Sequence, residues 1–325
     1  MSKNYTVQEW LEKYYHFVLM NTKIGVPAKE YLLQRGIYKE TMRTFRLGFA
    51  PHDVKPTLGF LKGKGFSFNE LVEQKILKRY TSGELKGRLT DPFKGRIIFP
   101  ICDFQGKTIG FGGRTMDKEN KVKYINSPET DVFVKGDNVY GFDLAKEEIK
   151  KQGYAILFEG YFDTITAYQA GIKNSVSTLG TALTVNQALL LKNITNNVVI
   201  TFDGDKAGME SSFKSASVLN KVGCKVRISH IPNEHDPDEF IKKFGGQTFV
   251  KEVILTAKPM LESYIKYKKK DYNLSSPNDR YAYASEILSV TKTNNIKETK
   301  AVLKSLGTAL NVPLKEIYKM IGEGG

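Results

Sequence analysis

From Tyr154 to Ile231 the chain alternates between two periodicities, and this constrains its fold more than any other feature. YAILF (154–158), NSVSTLG (174–180), NVVITF (197–202) and KVRISHI (225–231) read as short apolar strands. Between them lie YFDTITAYQAG (161–171), VNQALLLKN (185–193) and KAGMESSFKSASVLNKV (206–222), which carry helical spacing. Strands separated by single helices have to run parallel, because each helix returns the chain to the same end of the sheet. The central segment is therefore expected to be an α/β layer with a parallel sheet.

The flanks read differently. Residues 1–145 mix helix-like VQEWLEKYYHFVL and PAKEYLLQRG with strand-like RIIFPICDF and KTIGFGG, as in an α+β domain. Beyond IKKFGG, the stretches PMLESYIKYKKKD, DRYAYASEILSVTKT, IKETKAVLKSLGTAL and PLKEIYKMI have helical spacing and no strand signal. Three units are expected: 1–145, a basic α+β subdomain for nucleotide and nucleic acid; 146–246, a parallel-sheet catalytic subdomain; and 247–325, a helical bundle.

Charge follows the same division. The net charge of +14 splits into +8 for residues 1–150, −1 for 151–240 and +7 for 241–325. A basic surface of this size attracts phosphate backbones, and an acidic pocket inside it suggests cations bridging to phosphate. The two cysteines, Cys102 and Cys224, lie too far apart in sequence for a CxxC knuckle and read as core thiols. No apolar run is long enough to span a membrane, and the first residues do not read as a secretory signal, so no membrane partner and a cytoplasmic location are expected.

The acidic residues of the middle segment sit where the strands end. Glu159 follows the first strand, Asp203 and Asp205 follow the third, and Asp236 and Asp238 come after the fourth. In an open parallel sheet those ends share one rim, where such folds bind ligands, so the five carboxylates should converge. Converging carboxylates raise one another's pKa values unless a cation neutralises them. An all-oxygen set without His or Cys favours Mg²⁺, with Mn²⁺ as a substitute, and no zinc. Gly160, Gly204 and Gly208 permit close backbone approach, and the helices beginning after Gly160 and Asp205 point their positive ends at the site. There is no GxxxxGK[ST] loop, HExxH or GxSxG, and the four histidines form no ligand motif.

EGYFD (159–163), DGDKAG (203–208) and DPDEF (236–240) resemble the Toprim signature shared by primases, topoisomerases and some nucleases. FKGRIIFPI (93–101), GKTIGFGGR (106–114) and KYINSPETDVFVKGDNVYG (123–141) resemble the basic subdomain of the bacterial DnaG-type replicative primases. That resemblance implies a catalytic core that makes short RNA primers on single-stranded DNA from ribonucleoside triphosphates. It implies a metal site of Glu159, Asp163, Asp203, Asp205, Asp236 and Asp238, with Glu159, Asp203 and Asp205 catalytic and Glu159 the general base. It further implies that Arg35, Arg114, Lys123 and Lys135 line the path of nucleotide and template, with Asn126 near the incoming nucleotide. A zinc-binding domain before this region and a helicase-binding domain after it would complete such a primase, so the chain is expected to be a fragment that meets the replicative helicase only through the missing part. One departure stands in the first motif, where Phe162 replaces the Met common in the family. Two other readings remain open: a Toprim nuclease or topoisomerase-like enzyme, and a noncatalytic single-strand-binding module.

Overall fold

The computed structural model describes residues 6–83, 86–180, 182–291, 296–313 and 315–317. The chain opens with helix α1 (Val7–Asn21), started by a capping box in which the Thr6 N–H donates to Glu9 Oε2 at 2.7 Å and the Glu9 N–H donates to Thr6 Oγ1 at 3.2 Å. Its buried Val7, Leu11, Tyr15, Val18 and Leu19 form one stripe, which lies against a four-stranded antiparallel sheet. The strands are β1 (Gly48–Phe49), β2 (Arg96–Cys102), β3 (Thr108–Thr115) and β4 (Tyr124–Asn126), in that spatial order.

Strand β2 is buried along its whole length because both of its faces are covered. Ile98 faces a cluster with Leu11, Tyr15 and Phe111. Ile97, Phe99 and Ile101 face a second cluster that also contains Tyr161, Phe162, Ile165 and Leu179 from the central segment. The N-terminal half and the central layer thus share one hydrophobic core.

The central sheet contains β5 (Ala155–Phe158), β6 (Ser175–Ser177), β7 (Asn197–Ile200), β8 (Lys225–Ile228) and β9 (Lys258–Pro259), in the order β9-β8-β7-β5-β6. The first four run parallel, joined through α2 (Tyr161–Gln169), α3 (Val185–Lys192) and α4 (Lys206–Lys221). Period-2 alternation divides the sheet faces: Leu157, Val198 and Ile200 pack beneath α3 and α4, whereas Ile156, Phe158 and Val199 pack toward α2 and α5 (Pro237–Phe244). From β5 the chain moves outward to β6 and then returns to β7 on the other side of β5. The order of the sheet therefore reverses between β5 and β7, which is where ligands bind in such folds.

Two features depart from the sequence expectation. Lys258–Pro259, expected to be helical or loop, is an antiparallel edge strand pairing with Arg227 and Ile228. A two-residue edge strand containing Pro has no period to read, and only the open side of β8 defines it. The sheet core also extends past Gly246, since Phe249, Val253, Ile254 and Ala257 are buried in it. The last helices, α6 (Met260–Lys268), α7 (Pro277–Thr291) and α8 (Ile296–Leu310), close around Ile265, Tyr283, Ile287, Leu303 and Leu306. Tyr264 and Tyr267 dock this group on Phe213 of α4, with ring centroids 5.0 and 5.3 Å apart. Of PLKEIYKMI, residues 314 and 318–321 lie outside the described residues. Cys102 and Cys224 are buried free thiols. Among the described residues no helix is long and apolar enough to cross a membrane.

Candidate active site

Strand β5 ends by presenting Glu159 at the switch point. Its carbonyl accepts the Thr178 hydroxyl at 3.2 Å, while the carboxylate atom Oε1 is buried without a hydrogen-bond partner. Burial first, then the charges of Asp203 and Asp205, push the Glu159 carboxyl up to about 7, against a hydrogen bond from Ser211. Asp203, just beyond β7, is raised to about 6 by burial and by Asp236, Asp205 and Glu239. Asp163, in the first turn of α2, is raised further by burial and by Asp203, Asp236 and Asp238, although its Oδ2 accepts the Gly160 N–H at 3.1 Å. The ends of the parallel strands β5 and β7 and the starts of α2, α4 and α5 put Glu159, Asp163, Asp203, Asp205 and Asp236 on one rim.

The backbone holds that rim together. Asp205 caps α4, its Oδ1 accepting the Gly208 N–H at 2.7 Å, and Asp236 caps α5, accepting the Glu239 N–H at 2.6 Å. The Gly204 N–H donates to the His235 carbonyl at 3.3 Å, which links the two acidic loops. Gly208 lies so close to the preceding turn that a Cβ there would stand 2.3 Å from the Asp203 carbonyl oxygen.

Asp238 differs from the others. It is buried in the first turn of α5, not on a long loop, and it is already neutralised: Arg35 Nη2 lies 2.9 Å and Lys242 Nζ 2.6 Å from its Oδ2, and the Thr166 hydroxyl donates to Oδ1 at 2.5 Å. Lys242, which the sequence reading passed over, stands four residues along the helix, a spacing that signals such a pair.

The basic residues approach from the N-terminal half. Phe162, buried beside Phe99, has Arg35 at 4.3 Å and Arg114 at 5.0 Å from its ring centroid. Arg114 also lies 5.1 Å from the ring of Tyr124 and bonds its hydroxyl. One phenyl ring thus carries both guanidiniums, and Arg35 joins the N-terminal half to α5 through Asp238. Lys123 is exposed at the edge of the antiparallel sheet, and Lys135 is half-buried near Glu129 with its ammonium pKa lowered chiefly by burial. Asn126 has internal partners: its Nδ2 donates to the Leu179 carbonyl at 2.8 Å and its Oδ1 accepts the Tyr161 hydroxyl. In this arrangement it ties β4 to the central layer.

The donor set fits a divalent cation. An orphaned buried carboxylate oxygen, several carboxyls raised by burial first and by one another's charge second, and no nitrogen or sulfur donor among them describe a site that gains from a hard cation. Among the described residues no three acidic, His or Cys side chains are drawn together as a finished metal cage.

Parallel sheet, switch point and acidic rim define a Toprim-type protein, and the matching sequence models agree. The family described as DNA primase catalytic core, N-terminal domain, matches residues 14–146, and a Toprim-like family matches residues 156–241. The chain is 37% identical to the DNA primase of Halalkalibacterium halodurans over 98% of its own length and 53% of that protein's. It is 36% identical to the DNA primase of Geobacillus stearothermophilus over 96% of the chain and 51% of that protein. The crystal structure of the Aquifex aeolicus primase zinc-binding and RNA polymerase domains superposes with a TM-score of 0.76 at 35% identity, covering 95% of this chain and 72% of that one. A DnaG primase catalytic domain bound to single-stranded DNA gives a TM-score of 0.77 at 29% identity, covering 94% of this chain and 95% of that one. The chain belongs to the DnaG-type DNA primase family and corresponds to its catalytic core. It spans about half the length of the two primases compared by sequence.

Proposed function

We propose that this chain catalyses template-directed joining of ribonucleoside triphosphates into short RNA primers on single-stranded DNA, with Mg²⁺, or Mn²⁺ in its place, at the acidic rim. One observation carries this reading: Arg35 and Arg114 are both mounted on Phe162, within the same EGYFD segment (159–163) that carries Glu159 and Asp163 of the acidic rim. The neighbouring DnaG catalytic domain bound to single-stranded DNA supports the choice of template.

Asp203 and Asp205, with Glu159 and Asp236 beside them, would hold the cation, and Asp163 would shape the rim from the first turn of α2. When bound, a divalent ion supplies positive charge for the triphosphate and the reacting hydroxyl. Glu159, at the end of β5 beside these aspartates, would accept the proton of the primer 3′-hydroxyl as that oxygen bonds to the α-phosphorus and pyrophosphate leaves. Arg35, Arg114, Lys123 and Lys135 provide the cationic path for phosphates, arginine gripping in bidentate fashion and lysine as a point charge. Asn126 contributes through Tyr161 and Leu179 by fixing the wall beside which the nucleotide enters.

The test is incubation with ribonucleoside triphosphates, single-stranded DNA and Mg²⁺ or Mn²⁺. Template-dependent short RNA is the expected product. Cleaved DNA would favour a Toprim nuclease, and binding without product a noncatalytic module.

A further inference from the structure

A cleft of about 650 Å³ adjoins the acidic rim at Gly204 and Asp205 and extends between α4, the loop after β8 and α6. Its volume falls in the range of small-molecule sites. Lys206, Lys266 and Lys270 line it, and among the described residues none of the three has an ion-pair or side-chain hydrogen-bond partner. The carboxylates there are otherwise engaged: Glu262 with Lys258 at 3.7 Å, Asp271 with Lys268 at 3.5 Å, and Asp205 with the Gly208 N–H at 2.7 Å. His230 shares this lining with Lys266 and Lys270, and its imidazole pKa is lowered by burial first and then by these two ammonium groups. Met209, Ile228 and Tyr267 contribute apolar lining.

Unpaired ammonium groups converging on a cavity with an apolar wall match a ligand with clustered negative charge at one end and a flat apolar body at the other. We propose that this cleft is a second nucleotide site, binding a nucleoside diphosphate or triphosphate with its phosphates on Lys206, Lys266 and Lys270 and its base against Met209 and Tyr267. The site needs no divalent ion, since lysines supply the charge. Gly204 and Asp205 border it as well as the acidic rim, so the occupant lies directly behind the catalytic loop.

The experiment is calorimetric titration of the whole chain with ADP, pyrophosphate and adenosine in EDTA, which removes cation-dependent binding at the acidic rim. ADP is expected to bind one to one, pyrophosphate more weakly and adenosine hardly at all. Lys266→Ala/Lys270→Ala should weaken ADP roughly tenfold per lysine, the size of a charge-assisted hydrogen bond, and leave the melting temperature unchanged. Arg35→Ala/Arg114→Ala should keep ADP binding intact, which separates this cleft from the primer-synthesis path. Unchanged ADP affinity in the double lysine variant, loss in the double arginine variant, or no binding to the parent would overturn the site. Pyrophosphate binding as tightly as ADP would overturn the place assigned to the base.

Discussion

Glu159→Gln keeps the shape of the side chain and removes the charge at the centre of the rim. In the folded protein the carboxyl is raised from 4.5 to about 7, so near pH 8 its ionisation opposes folding. At about 1.4 kcal/mol per pKa unit the ceiling is roughly 3 kcal/mol, and solvent screening of a half-buried carboxyl reduces it to about 1–2 kcal/mol. The sign follows from linkage: an acid whose folded pKa is raised holds its proton more tightly when folded. Its contribution is most favourable below about 4.5, declines as pH rises to about 7, and is level above that. In EDTA at pH 8 the variant should therefore melt a few degrees above the parent, and the gain should vanish by pH 4.5. Added Mg²⁺ should raise the melting temperature of the parent by mass action and that of the variant much less. Primer synthesis should fall roughly 10²-fold, the usual loss for one preorganised electrostatic group, while single-strand affinity is retained or improved. Paired thermal melts at the two pH values, with primer yield alongside, check this. A variant that melts below the parent at pH 8, or keeps its advantage at pH 4.5, refutes the electrostatic argument; near-normal primer yield refutes the catalytic one.

Further outcomes are expected at three positions. Asp238→Asn leaves Arg35 and Lys242 without their shared counter-charge and should cost about 1–3 kcal/mol, below the value for fully buried pairs because both cations are partly exposed; denaturant unfolding measures it. Phe162→Leu removes the ring beneath both guanidiniums, two contacts of about 0.5–1 kcal/mol each, so single-strand affinity should drop several-fold while circular dichroism is preserved. Phe162→Met should fall between Leu and the parent. Gly208→Ala sets a methyl 2.3 Å from the Asp203 carbonyl, so the acidic loop must shift; the Mg²⁺-dependent rise in melting temperature should shrink, and an unaltered rise would show that the loop tolerates the side chain.

The strands and helices from β5 to β8 were readable because both are local periodicities. Each strand found at Ala155–Phe158, Ser175–Ser177, Asn197–Ile200 and Lys225–Ile228 lies inside an apolar run expected to form one. The acids at their ends followed from the same register. Asp238 shows where that reasoning stopped: its spacing allied it with Asp236, but beside Lys242 one turn along its helix its second counter-charge is Arg35, 203 residues away in sequence. Asn126 likewise had no local sign of its partners, Leu179 and Tyr161.

Periodicity and the side chains next to strand ends are properties of adjacent residues, so the amino-acid sequence alone determined the parallel layer, its acidic rim and the basic flanks. Tertiary structure decided which charges meet which. Phe162 lies under Arg35 and Arg114, Lys258–Pro259 closes the sheet, and Asp238 pairs with cations, because burial in a shared core selects partners across chain separations that no local pattern records.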